Sequence, residues 1–166
     1  MFDFWKFYNG LLNRKNLFDN YWNQFPEGRH LSFKKETLAL LNKSIQSRDT
    51  IGLSNTLAVI YRDGADADYT EILLSLLDQD WHTSEEDVVG ILEQIKDPKS
   101  INKLYEVAIK IPDYDDMRAL AKKCIWALSA INTSESIEKL KLLQMFDDPI
   151  VRENATFQLD DNFNEN

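Results

Sequence analysis

The chain has 166 residues, of which 43% are hydrophobic and 28% are charged, and it contains only 5 glycines and 4 prolines. A chain of this length fits one domain and can bury a core without disulfides or metals. So few turn-forming residues argue against a fold of many short strands and therefore favour helices. The single cysteine, Cys124, excludes an internal disulfide framework and a cysteine zinc cluster, and it suits a reducing compartment.

The formal net charge of −9 is unevenly distributed along the chain. Residues 1 to 44 contain seven of the 19 basic and four of the 28 acidic residues, so this segment carries +3 and residues 45 to 166 carry −12. An acidic surface repels nucleic acid and attracts basic partners. The charge therefore favours a basic protein as partner over nucleic acid, although simple solubility is an alternative reason for it.

The sequence also bears on localisation. Residues Met1 to Tyr8 are aromatic but are interrupted by Asp3 and Lys6, so they lack the continuous apolar stretch of a signal peptide. The longest apolar stretch, around Ile72 to Leu77, is too short to span a bilayer. We therefore expect a cytoplasmic protein that makes no membrane contact.

The first thirty residues stand apart because they contain nine of the nineteen aromatic residues: Phe2, Phe4, Trp5, Phe7, Tyr8, Phe18, Tyr21, Trp22 and Phe25. A terminal segment of a repeat protein has to cover an otherwise exposed apolar end. We therefore interpret residues 1–30 as an aromatic N-terminal cap segment that packs on the first helices. An aromatic docking surface for a partner is the alternative.

From Leu31 onward, apolar residues recur at helical spacing in one segment after another, and the clearest stripe runs from Met117 to Ile131. Capping residues before prolines, as at Asp97 and Asp148, mark helix starts. The pattern predicts eight helices, over residues 32–46, 50–62, 67–79, 84–96, 98–111, 116–131, 134–146 and 149–160. Because each helix is amphipathic and the turns are short, we expect the helices to pack as hairpins.

Two internal echoes indicate a repeat. The pattern of Ile91 to Leu104 recurs 36 positions later in Ala127 to Leu140, and Met117 to Ala121 is echoed 34 positions later by Val151 to Ala155. Two-helix units that repeat at such spacings are typical of solenoids. An irregular helical bundle is the alternative.

A family resemblance follows from the stretch Phe146 to Ala155, in which Asp148 precedes a hydrophobic residue, Arg152 and Ala155. The stretch resembles the second-helix start of HEAT repeats, including the short HEAT-like repeats of phycobilisome lyases, and Asp116 to Ala121 partly repeats it. The resemblance covers about residues 31–160. It implies an all-α fold, a right-handed α-solenoid of about four HEAT-like helical hairpins, within a single domain. Beyond it, we expect a disordered acidic tail at 161–166.

Residue patterns for catalysis or metal binding are missing. The only histidines, His30 and His82, stand at loop positions without partners at metal-ligand spacing. There is also neither a phosphate-binding glycine loop nor a nucleophile elbow. Cys124 follows Lys122 and Lys123, which could lower the pKa of its thiol, but it belongs to an apolar stripe, so we place it in the core. We therefore expect no enzyme activity, no metal and no cofactor.

Turns within the predicted hairpins are more acidic than turns between them. In a solenoid, equivalent turns line up along one edge, and here that edge is predicted to bind the partner. We call it the acidic edge, and its predicted residues are Asp78, Asp80, Trp81, Glu85, Glu86, Asp113, Tyr114, Asp115, Asp116 and Asp147. Trp81 and Tyr114 would anchor arginine- or lysine-rich protein surfaces. The alternative is that the two rings cover hairpin ends and the acids cap helices.

These features predict a non-catalytic protein-binding repeat protein. Its size, acidity and single-domain build are similar to those of bacterial immunity proteins, some of them HEAT-like, which neutralise a cognate toxin that is often a basic nuclease. An adaptor, chaperone or assembly factor is the main alternative. An enzyme similar to the bilin lyases is a third class. DNA-binding helical repeats are a fourth, but they need a basic groove, which the charge of −12 over residues 45–166 disfavours.

Overall fold

The computed structural model of the protein describes residues 30–111 and 115–164 and, before them, Phe4, Trp5, Tyr8 and Asn23. Between residues 30 and 164, the described part contains helices and no strand, which confirms the predicted all-α class. The helices are α1 (Lys34–Ser47), α2 (Thr50–Asp63), α3 (Thr70–Leu76), α4 (Glu85–Ile95), α5 (Ile101–Ile109), α6 (Ala119–Ile131), α7 (Ser134–Gln144) and α8 (Pro149–Asn164). Short 3-10 turns, Ala67–Tyr69 and Pro98–Ser100, lead directly into α3 and α5. None of the helices in these ranges is both long and apolar enough to cross a membrane.

The eight predicted helices are all present, and their bounds differ from the prediction by three residues or more at α3, α5, α6 and α8. The first three residues predicted for α3 and for α5 form the 3-10 turns, and α3 ends at Leu76 rather than at residue 79. Helix α6 begins at Ala119 rather than at residue 116, because Arg118 before it adopts a left-handed conformation with φ 55°. Helix α8 continues to Asn164, so the tail predicted to be disordered from residue 161 is helical as far as Asn164. Residues 165 and 166 lie outside the described residues.

Side chains cap the starts of helices at positions predicted from the sequence. Asp97 accepts a hydrogen bond from a backbone N–H at 3.0 Å, and Asp148 accepts two from the first turn of α8 at 3.0 and 3.1 Å. Thr133 and Ser136 form a reciprocal capping box at the start of α7. These bonds satisfy backbone N–H groups that have no partner within the helix, which is why the helices begin there.

Consecutive helices pack in pairs, α1 with α2, α3 with α4, α5 with α6 and α7 with α8. The second helices of the pairs also contact one another in sequence, α2 with α4, α4 with α6 and α6 with α8. They therefore form a row, and α5 and α7 contact each other beside it. One apolar core extends through these contacts from Leu41 in α1 to Leu159 in α8. Each pair thus buries its apolar stripe partly within itself and partly against the next pair.

Polar side chains connect the starts of neighbouring first helices. The Nζ atom of Lys34, at the start of α1, donates to Asp66 at 2.6 Å, just before the turn into α3. The hydroxyl of Thr70, at the start of α3, donates to Asp97 at 2.8 Å, just before α5. These two bonds connect α1 to the segment before α3, and α3 to the segment before α5.

One ion pair connects the starts of the second helices α6 and α8. The Nε atom of Arg118 donates to the Asp148 carboxylate at 2.7 Å, and the two side chains are only 23% and 13% exposed. Burial by itself raises the pKa of Asp148. The hydrogen bonds from Arg118 and from the backbone of α8 outweigh that effect and hold this pKa below its usual value. Asp148 therefore has two roles, as the cap of α8 and as the partner of Arg118.

Aromatic residues of the N-terminal segment pack on the first helix pair. The rings of Phe4 and Phe33 lie 4.8 Å apart between centroids, and the Tyr8 hydroxyl donates to the carbonyl oxygen of Gly52 at 3.4 Å. Phe4 and Tyr8 are buried, whereas Trp5 is 54% exposed. The other aromatic residues of the predicted cap segment lie outside the described residues.

We expect two substitutions to separate the roles of Asp148. Asp148→Asn keeps an oxygen that can cap α8 but loses the charge that faces Arg118, whereas Asp148→Ala loses both. At about pH 7, the free energy of unfolding should fall by about 1 kcal/mol for asparagine and by about 2–3 kcal/mol for alanine. Denaturant titrations of the two variants and the wild type give these values.

The pH dependence follows from the lowered pKa of Asp148 in the folded protein. The ion pair stabilises the fold above the unfolded-chain pKa, about 4, and this contribution is lost as the pH falls through the folded-state pKa. The difference in stability between the wild type and Asp148→Asn should therefore be smaller at about pH 3 than at about pH 7. An equal difference at both pH values would contradict the assignment.

Candidate partner-binding site

A groove of about 740 Å³ lies on the row of second helices, between α2, α4 and α6. We call it the α4 groove, and it is lined by Ser54, Leu57, Ala58, Tyr61, Arg62, Glu86, Asp87, Gly90, Glu93, Gln94, Lys96, Lys123, Trp126 and Ala130. On α4, the lining residues recur at helical spacing around Gly90, opposite the buried residues Val88 and Leu92. On α4, the groove is therefore formed by the helix face that does not enter the core.

Gly90 keeps the floor of the groove open. A Cβ atom at this position would lie 3.9 Å from the ring of Tyr61, which is an ordinary van der Waals contact, so alanine fits here. A glycine inside a helix costs about 0.5–1 kcal/mol relative to alanine. At the 36-residue repeat spacing, the corresponding position of α6 is Trp126. The two helices thus place the smallest and the largest side chain at equivalent positions facing one groove.

Two aromatic rings line the groove and remain partly open to solvent. Tyr61 is 43% exposed and Trp126 is 42% exposed. The guanidinium of Arg62 lies 5.6 Å from the centroid of the Tyr61 ring. The ring of Trp126 contacts no other aromatic ring or cation among the described residues. Tryptophan, tyrosine and arginine are the residue types that most often dominate the energetics of protein interfaces.

Charges of both signs line the groove, but they are not all paired. Oε2 of Glu86 forms an ion pair with Nζ of Lys123, at a distance of 3.2 Å. Glu93 makes no hydrogen bond or ion pair with any described residue. Burial raises the pKa of Glu93, and the charges of Lys123 and Lys96 oppose this effect without cancelling it. Glu93 is thus a partly desolvated carboxyl group without a direct partner.

Gln94, next to Glu93, presents a second group of unused polar atoms. Both its Nε2 and its Oε1 are shielded from solvent and have no hydrogen-bond partner among the described residues. Leaving such an atom unsatisfied costs about 1–3 kcal/mol, and native structures contain few of them. The neighbouring residues Glu93 and Gln94, on the stretch of α4 that lines the groove, thus both carry polar groups without a bonded partner among the described residues.

The residues predicted for the acidic edge lie around the starts of α4 and α6 and before α8, and several are already bonded within the chain. Asp78 accepts a hydrogen bond from Lys103 at 2.8 Å. Asp115 accepts one from the backbone N–H of Ala119 at 3.0 Å and so caps α6. Asp78 and Asp115 therefore have roles in the fold itself. Glu85 lies 4.0 Å from Nδ1 of His82, beyond hydrogen-bond distance.

Other predicted acidic-edge residues are free to meet a partner. Asp80, Asp116 and Asp147 are exposed, and their carboxylates have no bonded partner within the described ranges. Trp81 is partly buried, because it packs on the core and edge-on against the ring of His82, with centroids 4.9 Å apart. Two further predicted site residues lie outside the described residues: Asp113 and Tyr114.

The side chains of His82 and Cys124 serve the fold. The backbone N–H of Ser84 donates to Nδ1 of His82 at 3.1 Å, so Nε2 carries the proton and donates to the carbonyl oxygen of Leu76 at 3.1 Å. Cys124 is buried, and burial raises the pKa of its thiol, which disfavours the reactive thiolate. Within residues 30–111 and 115–160, no group of His, Cys, Asp and Glu has the arrangement of a metal site.

Comparison with known proteins gives no match: neither a protein-family model, nor a curated protein, nor a solved structure matches this chain.

The prediction from sequence misses the α4 groove, although two signals for it are present. Trp126 lies off the apolar stripe of its own helix, which indicates an exposed ring. Gly90 interrupts α4 where no turn requires a glycine. The unpaired state of Glu93 and Gln94 has no local signal, because it depends on which helices meet around them.

We expect Gly90→Ala to raise the free energy of unfolding by about 0.5–1 kcal/mol, because alanine favours the helix and its Cβ atom fits. Gly52→Ala is the matched control, since a Cβ atom there would lie 2.4 Å from Oδ2 of Asp49 and should destabilise the fold. Denaturant titration measures both changes. A loss of stability in Gly90→Ala would show that the floor of the groove is closed.

Proposed function

We propose that the protein is a non-catalytic protein-binding repeat protein of the HEAT-like kind, which binds a basic protein. In its sharper form, the proposal is that it is an acidic immunity protein that binds and neutralises a cognate basic toxin, for instance a nuclease. The observation that carries the proposal is the α4 groove, where the exposed rings of Tyr61 and Trp126 lie close to the acids Glu86 and Asp87 at the start of α4.

The order of helix contacts supports a right-handed α-solenoid of about four HEAT-like hairpins as the architecture. Each hairpin in the proposal is one of the observed helix pairs, and the row α2, α4, α6 and α8 forms its second layer. The sequence echoes at 34 and 36 residues fit the same pairs. In such an architecture, a groove on the second helices is a natural surface for a partner.

The unpaired carboxylates support a basic partner. Asp80, Asp116 and Asp147 are exposed, and residues 45–166 carry a net charge of −12. Long-range attraction of this kind mainly raises the rate of encounter, whereas short-range contacts hold the complex together. The acidic edge would thus speed the approach of the partner, and the aromatic groove would slow its dissociation.

Affinity capture tests the proposed class of partner. We expect the tagged protein, recovered from its own cells, to carry one stoichiometric basic protein that mass spectrometry identifies and calorimetry shows to bind tightly. Coexpression with the captured protein should suppress that protein's toxicity. Several weakly bound proteins would contradict the immunity role in favour of an adaptor or assembly factor, and a bound chromophore would favour the lyase class.

Charge reversal tests the acidic edge with the captured partner. The double substitution Asp116→Lys and Asp147→Lys should slow association about tenfold at low salt and weaken its salt dependence. Neither carboxylate is bonded within the described chain, so the fold should be unaffected. Glu138→Lys, an exposed position on α7, is the control for a charge change elsewhere. Unchanged association rates in stopped-flow experiments would rule out the acidic edge as the steering surface.

A further inference from the structure

We infer that the α4 groove receives an arginine side chain of the partner, which stacks on the indole ring of Trp126 and pairs with the carboxylate of Glu93. The inference rests on the proposed function, because it names the chemical group that the basic partner presents. Both residues line the same groove, from the neighbouring helices α4 and α6.

Glu93 supplies the charge that a guanidinium needs. It is partly buried, yet it has no hydrogen bond or ion pair within the described chain, and Lys123, whose charge acts on it, is ion-paired with Glu86 at 3.2 Å. Burial of the carboxyl group raises the pKa of Glu93, and the charges of Lys123 and Lys96 compensate the ionised form only in part in the free protein. A cation that enters the groove supplies the remaining compensation, which makes the site complementary to a positive group.

Trp126 supplies the surface on which a planar cation can lie. Its side chain is 42% exposed and contacts no cation or other ring among the described residues. Tryptophan is the aromatic side chain that attracts cations most strongly through its ring face. The ring of Tyr61 is already approached by Arg62, at 5.6 Å, so Trp126 is the ring left for a partner.

Gln94 supplies the remaining hydrogen bonds. Its shielded amide has an unused acceptor, Oε1, and an unused donor, Nε2. A rotation of the terminal amide towards the groove lets Oε1 accept from the guanidinium, while Nε2 donates to a main-chain carbonyl of the same partner segment. The groove volume of about 740 Å³ is ample for one arginine side chain.

The choice of arginine over lysine follows from the other charges in the groove. Arg62, Lys96 and Lys123 also line it and repel an incoming cation. A guanidinium tolerates such neighbours better than an ammonium, because its charge is delocalised, it is more weakly hydrated and it stacks on flat groups. A lysine side chain gains less from the ring and remains a strongly hydrated point charge.

The test uses three tripeptides of the form acetyl-Gly-X-Gly-amide, in which X is arginine, lysine or citrulline, the neutral isostere of arginine. Binding to the full chain is followed through the ¹⁵N NMR signal of the Trp126 indole, assigned with the variant Trp126→Phe. We expect a saturable shift with the arginine peptide and at least about tenfold weaker binding of the citrulline peptide, since only arginine pairs with a carboxylate. The lysine peptide should lie between them.

Two substitutions that each replace a glutamate by glutamine provide the matched comparison. Glu93→Gln should weaken binding of the arginine peptide about tenfold while leaving the thermal midpoint unchanged or higher, because it removes a partly desolvated carboxylate that the lysine charges compensate only in part. Glu138→Gln removes an exposed charge on α7, outside the groove, and should change binding no more than about twofold. Gln94→Met, which preserves the side-chain shape, should behave like Glu93→Gln.

Equal binding of the arginine and citrulline peptides, no shift of the Trp126 signal, or equal effects of Glu93→Gln and Glu138→Gln would overturn the inference. Different results would refute the arginine site and the proposed function. If a captured basic partner binds the wild type and Glu93→Gln with the same affinity, only the arginine site is wrong. If the arginine peptide binds as expected but no basic protein is captured, the proposed function is wrong.

Discussion

The packing of α6 between α4 and α8 is the constraint on which the rest of the structure depends. Seven of the 13 residues of α6 are buried, and the helix also contacts α5 and α7. Only one narrow strip of its surface is left for solvent, and Trp126 and Ala130 lie on that strip. The same packing that builds the core therefore decides which side chains of α6 can line the groove, and it holds them at fixed positions relative to α4.

Three residues that are individually unfavourable for the fold lie on a single face of α4. Gly90 weakens the helix, and neither the partly desolvated carboxyl group of Glu93 nor the shielded amide of Gln94 has a bonded partner among the described residues. Elsewhere on the chain, polar groups such as Asp148 and His82 are bonded on more than one side. Natural proteins retain local costs of this kind mostly where a surface has another task, so their position on α4 supports a binding role for the groove.

The number of helices could be predicted from the sequence because the apolar period and the capping residues are local signals. Asp97, Asp148 and Thr133 act as caps where the pattern placed them. The start of α6 was less predictable, because the left-handed conformation of Arg118 is one that non-glycine residues rarely adopt and that the local sequence does not indicate. The groove could not be predicted, since its lining comes from faces of α2, α4 and α6 that meet only after folding. For the same reason, the sequence could not separate carboxylates that hold the fold, such as Asp115, from those that are free.

Because Cys124 is buried, the reactivity of its thiol can be used to measure how often the surrounding helices separate. It is the only thiol in the chain, and it lies fully buried in α6 where the helices of the row meet. A labelling reagent can reach it only when those helices separate, because the closed state neither exposes the sulfur nor favours the thiolate. Under native conditions, the labelling rate therefore measures how often the centre of the row opens, without any introduced probe. Comparing that rate with and without a bound partner would show whether occupation of the groove restrains the helices beneath it.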